Sequence, residues 1–232
     1  MRASLGRRAV AEFAGTLLLL AAVVGSGVMG ERLAGGNVGL ALLANTIATG
    51  EALVALILAF GAVSGAHFNP AVTLSDALLG GIRWRETPVY VAAQGAGAIA
   101  GVVLAHAMFG LRALSASTHA RSGWAQMLSE FVATFGLLAV IWGCGRSRPT
   151  AVPFAVGAYI MAAYWFTAST SFANPAVTLA RSMTNTFSGI RPADVGGFVA
   201  AQMAGALAAT ALFRWLIPSV AVEASAVLVR HE

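Results

Sequence analysis

The hexapeptide Asn-Pro-Ala-Val-Thr-Leu occurs twice in this chain, at Asn69 to Leu74 and again at Asn174 to Leu179, 105 positions later. Each copy follows a loop of small residues, Ser64-Gly65-Ala66-His67-Phe68 before the first and Ser169-Thr170-Ser171-Phe172-Ala173 before the second. Asparagine is a favoured helix N-cap, and proline fits the first helical position, where no N–H is needed. Both copies therefore predict a loop, a cap and the start of a short helix. One Asn-Pro would mean no more than an ordinary capped helix. Two identical hexapeptides, placed alike in a hydrophobic chain, point to a duplicated functional element.

The surroundings of these boxes are apolar. Of the 232 residues, 58% are hydrophobic and 10% charged. A soluble domain carries roughly a quarter charged residues, so this composition belongs to a polytopic membrane protein. The net charge of +5 is carried by arginine, since the chain contains no lysine. A small excess spread over many loops speaks for membrane orientation and against a nucleic-acid partner. The single cysteine, Cys144, excludes an intrachain disulfide framework and a cysteine metal cluster. Arg2, Arg7 and Arg8 ahead of the apolar run from Leu17 to Val24 imitate a secretion signal. Further spans of equal hydrophobicity follow, and Glu12 sits inside the helical pattern, so the run is read as a retained first membrane helix.

A spanning helix needs about 20 mostly apolar residues. Six such stretches are expected, over roughly 9–29, 38–61, 88–110, 125–145, 151–170 and 194–217. The Asn-Pro helices, over roughly 70–80 and 175–186, are too short to cross a bilayer at about 1.5 Å per residue. Other landmarks also recur. Glu12-Phe13 in the first span returns as Glu130-Phe131 in the fourth, and Ala93-Gln94 in the third returns as Ala201-Gln202 in the sixth. The expected architecture is thus a single all-α membrane domain over 1–232, built as an inverted repeat of roughly 1–115 and 116–232. Each half carries three spans and one re-entrant half-helix, and an odd number of spans turns the second copy upside down. Nine arginines (2, 7, 8, 83, 85, 146, 148, 214 and 230) then fall on the amino-terminal side, and five (32, 112, 121, 181 and 191) on the other. That bias predicts cytoplasmic termini in the cell's inner (plasma) membrane. Gly97 and Gly101 are spaced to allow close helix crossing.

These residues together resemble the aquaporin, or major intrinsic protein, family over nearly the whole chain. The resemblance rests on Asn69-Pro70-Ala71 and Asn174-Pro175-Ala176, on the Ser64 to Phe68 lead-in, on Glu12 and Glu130, and on the two Ala-Gln pairs. It implies a six-helix bundle with two re-entrant half-helices, one pore per subunit and a homotetramer. It also implies passive permeation of small neutral solutes, with no cofactor and no metal. The physics is compatible. Helix N-termini facing each other at mid-membrane oppose cations and protons, and the Asn69 and Asn174 amides can donate to passing hydroxyls.

Glu12 and Glu130 are carboxylates within apolar helices. They are expected to support the re-entrant loops by accepting backbone N–H groups; the competing role is proton coupling in a transporter. His67 is expected to line the cytoplasmic vestibule, and His106 to be interfacial. The filter departs from the family pattern. Where the second box commonly continues with arginine, this chain has Val177, and the family spacing assigns the other filter positions to Thr49, Ala162 and Ser171. That set is small and neutral. It predicts a wide filter suited to polyols, arsenous acid, and methylated or larger organoarsenicals, besides water. Arg181, four residues after Val177 and so on the same helix face, either charges the outer mouth or snorkels to the headgroups. Valine at this position, with the full hexapeptide, looks like the AqpS-type bacterial aquaglyceroporins associated with arsenic resistance.

The alternative class is a secondary transporter built from inverted repeats with broken helices. A membrane enzyme has little support, because no paired acid and base, metal-ligand cluster or phosphate loop is present.

Overall fold

Capping chemistry divides the chain into eight α-helices over residues 3–217, the part that this computed structural model describes. They are α1 (Leu5–Leu33), α2 (Val38–Ser64), α3 (Pro70–Leu79), α4 (Thr87–Phe109), α5 (Trp124–Ser147), α6 (Val152–Phe166), α7 (Pro175–Arg181) and α8 (Val195–Leu216). Short 3-10 turns, Pro149–Ala151 and Pro192–Asp194, lead into α6 and α8. Six of the helical segments are long and apolar enough to cross a membrane; α3 and α7 are not among them. Arg2 and Arg230, counted above toward the amino-terminal side, lie outside the described residues.

Three boundaries differ from the sequence expectation, each for a local reason. The first helix starts at Leu5 and takes in two arginines, because Arg8 is neutralised where it is buried. Its guanidinium makes two 3.1 Å contacts to the Glu86 carboxylate. The fifth span leaves the helix after Phe166, where the Thr167 hydroxyl turns back to the Ala163 carbonyl. The second half-helix stops at Arg181, five residues short. The carbonyls of Ser182 and Met183 accept instead from Ser117 N and Ser115 N, which ties this stretch to the α4–α5 loop.

Small residues set the crossings. At the α1–α4 contact, Gly97 lies against the Phe13 carbonyl and Gly101 against the Leu17 carbonyl, leaving no room for a Cβ. At the α5–α8 contact, Gly205 lies in the same way against the Phe131 carbonyl. Gly50 of α2 and Gly157 of α6 face each other's carbonyls where these two helices cross. The short α3 is pinned by α5 and α8. Trp142, fully buried in α5, donates to Ser75 Oγ at 3.1 Å, and Ser75 also bonds Thr210 of α8 at 2.5 Å.

Candidate pore

The two half-helices begin from strained loops. Ala66 and Phe68 before α3, and Thr170, Ser171 and Ala173 before α7, all have φ between 48° and 60° without being glycine. Such residues cost about 1–3 kcal/mol each and persist only where their surroundings hold them. Here the surroundings are two buried carboxylates. Glu12 accepts from His67 N (3.0 Å), Phe68 N (2.7 Å), the Ser64 hydroxyl (2.6 Å) and Gln94 Nε2 (2.8 Å). Glu130 accepts from Phe172 N (2.9 Å), Ala173 N (2.9 Å) and Gln202 Nε2 (2.6 Å). Charge-assisted bonds of this kind are the strong ones in a low-dielectric interior.

Gln94 and Gln202 carry the arrangement one step further. Their Nε2 groups also donate to Thr73 Oγ1 and Thr178 Oγ1, both at 2.8 Å, and those hydroxyls donate to the Asn69 and Asn174 carbonyls. In the sequence alone the glutamines are only landmarks of the repeat, and the threonines carry no role. The available signal was a buried amide in the middle of an apolar span, which must find partners.

At the tips, each asparagine works twice. The Oδ1 of Asn69 caps Ala71 N at 2.9 Å, and that of Asn174 caps Ala176 N at 3.0 Å. Their Nδ2 groups cross over: Asn69 donates to the Ala173 carbonyl (2.7 Å) and Asn174 to the Phe68 carbonyl (2.8 Å). Pro70 and Pro175 occupy the first helical positions, and Ala71 and Ala176 are buried behind them. The loops thus meet tip to tip, each closing the other's backbone.

A single cavity reaches both tips, with contributions from α1, α2, α3, α5, α6 and α7. Its wall is mostly aliphatic, with a sparse polar line that includes His67, Asn69, Asn174, Ser171, Thr49 and Arg181. That is the usual make-up of a small-molecule passage. Glu12 and Glu130 do not line it, being turned to the loop amides. His67 is buried, with Nδ1 3.0 Å from Thr73 Oγ1 and Nε2 3.6 Å from Asp76 Oδ2. His106 is also buried and bonds Thr184 Oγ1 at 2.7 Å through Nε2 and the Arg112 carbonyl at 2.5 Å through Nδ1. It staples the α4–α5 loop to the segment after α7 and is more enclosed than an interfacial residue would be.

Of the four positions expected at the filter, Thr49, Ser171 and Val177 line the cavity and Ala162 does not. Ala162 lies on the exposed face of α6, on the side that carries Ala158 and Phe166. The cavity face of that helix is the i, i+4 stripe Val152, Val156, Ile160 and Tyr164. Family spacing points to Ala162, but spacing along the chain does not fix which side of a helix a residue occupies. Tyr164 is the residue that reaches the cavity instead, and its hydroxyl donates to Thr49 Oγ1 at 3.3 Å.

Arg181 settles inward. It is 2% exposed, lines the cavity, donates from Nε to the Ser188 carbonyl, and lays its guanidinium 3.4 Å from the Phe172 ring centroid. Arg121, from the α4–α5 loop, approaches the same ring at 5.0 Å. It also bonds the Gly189 carbonyl (2.8 Å) and the Ser169 carbonyl (3.0 Å). Burial pushes the Arg121 guanidinium below the ordinary arginine range, offset in part by Glu130 and Tyr164.

Comparison with known proteins agrees with this geometry. The family model described as "Major intrinsic protein" matches residues 1–163. The chain is 61% identical over 213 residues to the aquaglyceroporin AqpS of Rhizobium meliloti (strain 1021), covering 92% of this chain and 91% of that one. It is 32% identical over 194 residues to aquaporin NIP2-2 of Zea mays, covering 80% of this chain and 65% of that one. The X-ray structure of the aquaglyceroporin from Plasmodium falciparum shares the fold, with a TM-score of 0.72 over 94% of this chain and all of that chain, at 19% identity.

Proposed function

The chain belongs to the major intrinsic protein family, and from that premise we propose that it forms a wide solute pore with the paired asparagines at its centre. At the coarser level it is a passive membrane channel for water and glycerol-type solutes and not an enzyme. The finer reading extends the permeants to arsenous acid, a neutral polyhydroxyl solute of polyol size, and to methylated or larger organoarsenicals. The observation that carries it is the valine at position 177, facing the cavity in the first turn of α7. Its side chain leaves open the cross-section that a guanidinium there would fill.

The pore centre is supported by the crossed Asn69 and Asn174 amides, each of which has a second N–H left to offer to a passing oxygen. His67 belongs to one vestibule and Arg181 to the other end of the cavity in this reading, with Glu12 and Glu130 holding the loops. A coupled transporter fits less well, because both carboxylates are occupied by loop amides and neither faces the cavity. We read the chain as two inverted halves, near 1–115 and 116–232, which the matching Glu–Gln–Thr–Asn networks support. A homotetramer in the plasma membrane, with cytoplasmic termini, is the assembly this reading takes from the resemblance.

Stopped-flow light scattering of proteoliposomes, with water, glycerol and arsenite gradients run in parallel, tests the proposal. Non-saturating flux of all three is the expected result. Rapid water flux with exclusion of glycerol and arsenite overturns the wide pore.

A further inference from the structure

We infer that Tyr164 and Arg181 form the selective constriction of this channel, the ring setting its width and the guanidinium its charge. The inference rests on the passive-channel reading and deepens it.

The first observation is a span of side chains across the outer part of the cavity. Thr49 comes from α2, Tyr164 from α6 and Arg181 from the end of α7, and all three line the cavity. The Tyr164 hydroxyl donates to Thr49 Oγ1 at 3.3 Å. Two helices far apart in the chain, α2 and α6, are thereby linked at the cavity wall, which Arg181 of α7 also lines. The side chains here are buried, Thr49 at 3% exposure, Tyr164 at 3%, Val177 at 5% and Arg181 at 2%. The bulk there is tyrosine, not the alanine that spacing suggests.

The second observation is that the Arg181 charge is fixed in place and not neutralised by an ion pair. Its Nε is committed to the Ser188 carbonyl and its plane to the Phe172 ring. Among the described residues no carboxylate forms a salt bridge with it. Glu130 has its oxygens bonded to Phe172 N, Ala173 N and Gln202, and Arg121 brings charge of the same sign to the same ring. A fixed cation in a low-dielectric passage repels cations strongly while leaving neutral solutes free to pass. Width and charge, which one arginine at position 177 would set together, are set here by separate residues. Arg181 lies about 6 Å further along the helix axis than Val177.

The test uses the purified full-length chain in proteoliposomes at matched protein density. Variants Tyr164→Ala, Arg181→Met, Arg181→Gln and Ala162→Val are compared with the wild type. Water, glycerol and a bulkier polyol are followed by light scattering, and proton and sodium entry under an imposed potential by dye fluorescence. Tyr164→Ala is expected to raise the bulky-polyol to water ratio by about fivefold, with Ala162→Val leaving it unchanged. Arg181→Met is expected to raise cation entry by about tenfold while glycerol flux stays within about twofold. Should Arg181→Met fail to fold, Arg181→Gln keeps a donor for the Ser188 carbonyl and reads the same loss of charge. An unchanged solute ratio in Tyr164→Ala, or unchanged cation tightness in a folded Arg181 variant, overturns the assignment. Absence of glycerol flux in the wild type defeats the channel reading itself and is recognised before any variant is compared.

Discussion

Asn69 and Asn174 each donate a side-chain N–H to a carbonyl in the other's loop, at 2.7 Å to Ala173 and 2.8 Å to Phe68. Each loop therefore depends on the opposite asparagine, and the two loop tips behave as one unit. Asn69→Asp keeps the oxygen that caps Ala71 N but sets an anion against the Ala173 carbonyl. Asn174→Leu removes both cap and cross-bond, and loss of a cap alone costs about 1 kcal/mol. Both variants are expected to assemble yet to lose most glycerol flux. Stopped-flow flux alongside size-exclusion chromatography checks this, and wild-type flux in both would remove the boxes from the pore centre.

Glu12→Gln and Glu130→Gln separate support from coupling. The replacement amide brings its own N–H groups to face donors that need an acceptor, and leaving a buried donor unmet costs about 1–3 kcal/mol. Thermal unfolding in detergent is expected to shift downward in both. The dependence of solute flux on pH is expected to keep the wild-type shape, whereas a proton-coupled carrier would lose it.

Val177→Arg is expected to narrow the cavity from the first turn of α7, and Thr49→Trp from the facing wall of α2. Each adds bulk, and the arginine also adds five donors and a charge. The ratio of methylated-arsenical to water permeability is expected to fall in both, at matched protein density. An unaltered ratio in both would mean that these walls do not bound the filter.

Gly97→Val and Gly205→Val test the helix crossings. The added side chains would run into the carbonyls of Phe13 and Phe131, where nothing flexible can yield. Overpacking of this kind typically costs about 1–3 kcal/mol, more where backbone blocks the way. A reduced yield of folded oligomer and a lower unfolding temperature are expected. Gly95→Val, on the same helix with open space around it, serves as the tolerant control.

Much of this protein is legible in its residues taken one after another. Hydropathy marks the six spans, because a bilayer demands about 20 apolar residues whatever the fold. The Asn-Pro pairs mark the half-helix starts, because capping and the missing proline N–H are local chemistry. Glu12 and Glu130 declare themselves by standing charged in apolar helices, where a charge must find partners. What tertiary structure decided was which side chains meet. Nothing local says that Gln94 and Gln202 bridge the carboxylates to Thr73 and Thr178, since those bonds join helices far apart in the chain. The same holds for Tyr164 against Ala162. These two residues differ in their place around α6, which packs Gly157 on Gly50 and turns Tyr164 to the cavity, and spacing along the sequence does not give that. Arg181 was ambiguous in sequence because a guanidinium on a long stem can reach either lumen or headgroups. The Ser188 carbonyl and the Phe172 ring, both brought to it by the folding of the chain around α7, hold it toward the lumen.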